Sequence, residues 1–173
     1  MTAALALVNK HRNVLLIDFA LLAALYLLPS FSHLTALPLY KLEPMRIALI
    51  IALLCTNRTN TFIIAFTIPL VSAAVTGHPE PLKALIMGIE LSILVATYFY
   101  LVRMPRIPAF SALAAGILLG KLVYYAMKFV ALNSGLLAGN FISTPIQNQL
   151  ILALGTAAVF GLLEDLRTKK GNS

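Results

Sequence analysis

Six apolar runs, separated by short polar or proline-punctuated connections, make up most of this 173-residue chain. The first covers about Val14 to Leu28 and is interrupted by Asp18. The second, about Pro44 to Cys55, is short, and a run of roughly 12 to 14 residues also suits a re-entrant segment. The third spans about Thr61 to Thr76, with a kink expected at Pro69. The fourth, fifth and sixth cover about Leu82 to Val102, Ala109 to Leu132, and Ile146 to Leu163. Apolar positions are contiguous within each run rather than alternating, which favours helices over the strands of an outer-membrane barrel. The connections read as a partly buried flap from Pro29 to Leu42 with His33, Pro38 and Lys41, a polar turn at Thr56–Asn60, and a proline-stiffened turn at Gly77–Pro81. A basic loop at Arg103–Pro108, an uncharged loop at Asn133–Pro145 and a polar tail from Glu164 follow.

Composition sharpens this picture. The chain is 60% hydrophobic and 11% charged, with a mean hydropathy of +0.92, whereas soluble domains carry about 25% charged residues. The predicted fold class is an all-α integral membrane protein of six transmembrane helices, one six-helix domain over residues 1–173. A formal charge of +7 would suggest nucleic acid in a soluble protein, but here the basic residues punctuate the apolar runs and set topology instead. With both termini cytoplasmic, the inner connections hold Lys10, Arg12, Arg58, Arg103, Arg106, Arg167, Lys169 and Lys170, and the outer ones only Lys41. The expected location is the inner (plasma) membrane, crossed several times, with the first run an uncleaved helix. Cys55 is the single cysteine, which excludes an intramolecular disulfide.

The charges inside the runs carry the candidate chemistry. A charge facing lipid at mid-bilayer costs roughly 2.5 to 3.5 kcal/mol, so Lys83, Glu90, Lys121 and Lys128 are expected to face one another, other polar groups or a cavity. Lys83 and Glu90 are seven residues apart and share a helix face, as do Lys121 and Lys128 with Tyr124 and Tyr125 between them. At about 1.5 Å per residue, Glu90 and Lys121 each lie roughly 10 Å deeper than Lys83 and Lys128. Glu43 and Arg46 at the start of the second run are expected level with Lys83 and Lys128, and the sixth run begins with Gln147, Asn148 and Gln149. The inner half is nearly apolar apart from Asp18, a helix-packing or interfacial residue.

Polar groups confined to one half fit a pocket better than a channel, which needs them along its whole length. The predicted solute-binding residues are Glu43, Arg46, Lys83, Glu90, Lys121, Tyr125, Lys128 and Asn148. Four cations against two carboxylates favour a small anionic solute. The plainer alternative makes the same residues structural pairs, Lys83 with Glu90, Glu43 with Arg46, and Lys121 with a backbone carbonyl, while Lys83 and Lys128 snorkel to the headgroups. No nucleophile, zinc or phosphate-loop motif is present, so an enzyme is not expected. His33 and His78 stand singly, and neither a metal nor a cofactor is expected.

Small residues recur at four-residue spacing in several runs: Ala20 and Ala24, then Ala112, Gly116 and Gly120, then Ala153, Ala157 and Gly161. Such rows let membrane helices approach closely. With the six-helix layout, the basic inner side and the stretches PLKALIMGIELSILVATYFYLV and GILLGKLVYY, the chain resembles the substrate-binding S components of energy-coupling-factor vitamin transporters. The resemblance implies capture of a vitamin-like solute on the outer side. It further implies docking, through Ala20 and Ala24 with Ala65 and Ala73 as weaker candidates, on a transmembrane coupling subunit driven by two cytoplasmic ATPases. The same arrangement is also similar to the rod-shape scaffold family MreD, and a small enzyme acting on lipid-linked substrates is a third alternative.

Overall fold

The computed structural model describes residues 12–24, 27, 43–142 and 145–171, with side chains as far as Glu164. The flap expected at Pro29–Leu42, with His33, Pro38 and Lys41, lies outside the described residues. Among the described residues there are six helices: α1 (residues 12–24), α2 (Pro44–Cys55), α3 (Arg58–Thr76), α4 (Pro81–Leu101), α5 (Ala109–Asn133) and α6 (Ile146–Gly171). Four of them, α3, α4, α5 and α6 as far as Glu164, are long and apolar enough to cross a membrane, which marks the chain as a membrane protein. Their outward faces carry Ile63, Leu118, Leu122, Val130, Leu154 and Leu162, all exposed, as lipid contact requires.

Two boundaries differ from the sequence expectation. The polar turn placed at Thr56–Asn60 is largely helix, because Asn57 caps α3 by accepting the Asn60 backbone N–H at 2.9 Å. The tail expected after Leu163 continues α6 to Gly171. Pro69 lies inside α3 and is buried, and the helix runs through it as one element.

Helix α4 lies at the centre between α3 and α5, with α6 packed on α5 and α2 on α3, and α4 and α5 run antiparallel. Glycine sets the close approaches. A Cβ on Gly116 would stand 2.8 Å from the Leu94 carbonyl oxygen, one on Gly120 2.9 Å from that of Glu90, and one on Gly88 3.0 Å from that of Phe66. The small-residue row of α5 is therefore consumed in packing against α4. In α6, Ala153, Ala157 and Gly161 likewise face inward, whereas Ala20 and Ala24 on α1 are exposed. Of the weaker docking candidates, Ala65 is fully buried and Ala73 half-buried.

One end of the bundle is closed by apolar packing. Leu49, Leu53, Leu94, Leu113, Ile117 and Phe160 form one core, with the Phe160 and Tyr98 rings edge to face at 5.3 Å. Arg58 lies over the rings of Phe62 and Phe99 at that end, and Asp18 of α1 accepts a hydrogen bond from Asn60.

The twelve residues of α2 rise only about 18 Å, well short of the roughly 30 Å of a bilayer core. The helix begins below the other helix ends. Arg46, in its first turn, reaches Glu90, which lies nine residues into α4 and thus about 13 Å from that helix's start. Glu43 and Arg46 therefore stand at the level of Glu90 and Lys121, not of Lys83 and Lys128 as the sequence suggested. The expectation had assumed that α2 starts where its neighbours do.

Candidate functional site

The cavity lies above this sunken start of α2. It has a volume of about 210 Å3 and is lined from α2, α4, α5, α6 and the turn between α3 and α4. On α4, Lys83, Met87, Glu90 and Leu91 line it, and on α5, Lys121, Tyr124, Tyr125 and Lys128. Both sets repeat at three- and four-residue intervals and so occupy one helix face each.

Four side chains close the floor. Arg46 donates from Nη2 to Glu90 Oε1 at 3.1 Å and is ion-paired with Glu43. Lys121 Nζ lies 3.0 Å from Glu43 Oε1 and 3.3 Å from Glu90 Oε1. One oxygen of Glu90 thus serves two cations, and each cation serves two carboxylates. Arg46 and Glu90 are each only 4% exposed, whereas the Lys121 and Glu43 side chains are 22% exposed, so one positive and one negative charge of the network are held away from solvent. Such a set is tolerated because every charge has partners, and removal of any member leaves two like charges sharing one opposite charge.

Local backbone features place these groups. Glu43 has φ 48 and ψ 58, a left-handed conformation uncommon for a residue with a side chain. From it the carboxylate meets both Arg46, one turn on, and Lys121 across the interface. Pro44 suits the first helical position, where no backbone N–H is needed. Gly120 admits the Glu90 backbone beside Lys121, so the glycine that allows α4 and α5 to touch also brings their charges within range.

Above the floor, Lys83 and Lys128 face the same cavity. Lys128 is 3% exposed and does not snorkel outward. Its Nζ lies 5.8 Å from the centre of the Tyr124 ring, and that of Lys121 lies 5.4 Å from it, within the range of cation–π attraction. Tyr125 is hydrogen-bonded to the Gln149 side-chain amide at 2.6 and 3.0 Å, which fixes the phenol against α6. At the mouth, Ser72 and Thr76 donate hydroxyl hydrogen bonds to the His78 carbonyl and hold the α3–α4 turn. Comparison with family models, curated proteins and solved structures found no match for this chain. The site is therefore interpreted from its own residues.

Seven of the eight residues singled out in the sequence line this one cavity: Glu43, Arg46, Lys83, Glu90, Lys121, Tyr125 and Lys128. Asn148 does not; it is exposed, and the neighbouring Gln149 takes the inward position. A signal for this was present, because Gln149 extends the inward row of Ala153 and Ala157 back by one turn. Of the pairings in the plainer alternative, Glu43 with Arg46 is present, Glu90 pairs with Arg46 and Lys121 rather than with Lys83, and Lys121 contacts carboxylates rather than a carbonyl. His78, Met45 and Met87 were not anticipated as lining residues. Among the described residues no three His, Cys, Asp or Glu side chains gather where they would hold a metal ion.

Proposed function

We propose that this chain is the membrane-embedded solute-capture subunit of an importer of the energy-coupling-factor type. In this reading the six helices span the inner membrane with both termini cytoplasmic, and the cavity faces outward and takes a small anionic, vitamin-like solute. One observation carries the proposal: charged side chains from three helices converge on a cavity at one end of the bundle, over a floor of paired charges and a packed apolar core. A route for ions would continue through that core; a binding pocket stops above it. The energy for release comes from partners, a transmembrane coupling subunit and two cytoplasmic ATPases, with Ala20 and Ala24 on the exposed face of α1 as the docking positions.

The test is thermal melting of the purified chain in non-ionic detergent against a panel of micronutrient anions. A ligand that binds only the folded form stabilises it by about 2.7 kcal/mol at a hundred times its Kd. A rise in melting temperature with at least one anion, lost in Glu90→Gln and Lys121→Gln, is the expected result. Absence of any shift across anionic, neutral and cationic solutes would favour an MreD-like scaffold, in which the same charge network serves only to hold helices together.

A further inference from the structure

We propose that the end of the bundle opposite the cavity carries a binding site for an anionic phospholipid, its headgroup phosphate held by Arg58 and Arg103 and an acyl chain lying along the exposed side of α3. The site is separate from the cavity and does not rest on solute capture.

The inference starts from Arg58, which begins α3 at the end remote from the cavity-lining turn. An exposed arginine ordinarily spreads over many rotamers, but this one has two aromatic rings beneath it. Its guanidinium carbon lies 5.9 Å from the centre of the Phe62 ring and 5.4 Å from that of Phe99, and the two rings are 6.3 Å apart. Phe62 comes from the next turn of α3 and Phe99 from the last turns of α4, so two packed helices build the platform. The attraction is to the ring quadrupoles. It therefore fixes the guanidinium without committing its N–H donors to an oxygen. Those donors form a planar fork that matches the oxygens of a phosphate, and a side chain already held in place loses less freedom on binding.

The end of α4 adds a second cation. Val102, which caps that helix, keeps right-handed helical dihedrals, so Arg103 stands one turn beyond Phe99 on the same side of α4. It is exposed. The occupant follows from what lies along the helix from these arginines. Helix α3 is long and apolar enough to cross a membrane, which puts Arg58, at its end, at the level of lipid headgroups. Phe62 and Phe66 follow Arg58 at four-residue steps and share its side of the helix. Phe66 is 40% exposed and stands about 12 Å along α3 from Arg58, where it meets hydrocarbon. Cations at headgroup level with an apolar strip next to them complement a molecule that joins a phosphate to an acyl chain. A soluble phosphate or an acidic peptide would use the arginines and leave the strip bare.

The experiment follows lipid adducts of the purified chain in non-ionic detergent by native mass spectrometry, titrating phosphatidylglycerol and phosphatidylcholine of identical chains. Both carry the phosphate, but the choline cation opposes the arginines. Phosphatidylglycerol is expected to bind at least about fivefold tighter, a comparison that needs only the unaltered protein and so stands even where a variant fails to fold. Arg58→Gln and Arg103→Gln should each reduce that preference to about twofold or less. Arg58→Lys, which keeps the charge but not the planar fork, should fall between Arg58→Gln and the unaltered chain. Equal binding of the two lipids would overturn the proposal, as would a preference that survives Arg58→Gln. A preference fully kept in Arg58→Lys would reduce the site to a diffuse basic surface and overturn it as well. Glycerol 3-phosphate and hexaglutamate, each in large excess, are expected to leave the lipid bound. Displacement by the first would assign the arginines to a soluble phosphate, and displacement by the second to an acidic protein partner; either result overturns the lipid.

Discussion

The two ends of the bundle are built from the same helices and bury opposite kinds of side chain. At one end Phe160, Tyr98, Leu53 and Leu113 fill the space between helices with rings and branched chains. At the other, α2 begins only at the level of Glu90, and Arg46, Glu90, Lys121 and Lys128 line a cavity. Apolar packing needs only volume, and many combinations of side chains satisfy it. A buried ionic network needs each charge within a few ångströms of its partner, so it depends on the exact approach of particular backbones. The contrast shows how a single short helix turns the interior of an otherwise apolar bundle into a site.

The comparison is broken most directly by removing one central side chain from each end. Glu90→Ala leaves Arg46 and Lys121 to share the single carboxylate of Glu43, with Arg46 in a buried position, and is expected to cost about 3 to 5 kcal/mol, read as a large drop in melting temperature. Phe160→Ala is expected to cost a similar 3 to 5 kcal/mol through the cavity it leaves, yet to leave anion binding intact. The double change Arg46→Met with Glu90→Leu separates the two mechanisms. Because Glu43 and Lys121 stay paired, and because apolar replacement of a whole ion pair is often neutral, the double variant should recover most of the loss of Glu90→Ala. A double variant as unstable as the single one would show that packing, not charge, dominates the cavity end.

A finer version uses two glycines on one face of α5. Gly116→Ala and Gly120→Ala each press a methyl group against a carbonyl oxygen of α4, at 2.8 and 2.9 Å, and each should cost about 1 to 3 kcal/mol. Only Gly120→Ala moves Glu90 from Lys121, so only it should also weaken anion binding. Equal effects of both on binding would mean that the network tolerates displacement.

The smallest expected effects fall at the edges. Asn57→Ala removes the cap of α3 and should cost about 1 kcal/mol, without touching the cavity. Lys83→Gln, half-buried at the mouth and outside the four-membered network, should alter stability by no more than about 0.5 kcal/mol while changing the affinity for anions. A strongly destabilised Lys83→Gln would make this lysine part of the frame rather than of the binding surface.

Much of this was legible along the chain. The apolar runs predicted α3 to α6 because a backbone in lipid must satisfy its own hydrogen bonds, which leaves helix as the form for a contiguous run. The 3.6-residue period then placed Lys83 with Glu90, and Lys121 with Tyr124, Tyr125 and Lys128, on single faces. It failed for Asn148, where three adjacent amides offered no way to choose an inward residue without the row of Ala153 and Ala157 as guide.

The residues by themselves determined the helices, their apolar outer surface and the excess of cations over carboxylates, since these depend on composition and on a period that repeats within each segment. The depth of α2, the cavity above it and the choice of Arg46 and Lys121 as partners of Glu90 were decided by the tertiary structure alone. They arise where Gly120 lets two backbones close and where Glu43 turns left-handed, contacts between segments dozens of residues apart that no local pattern encodes.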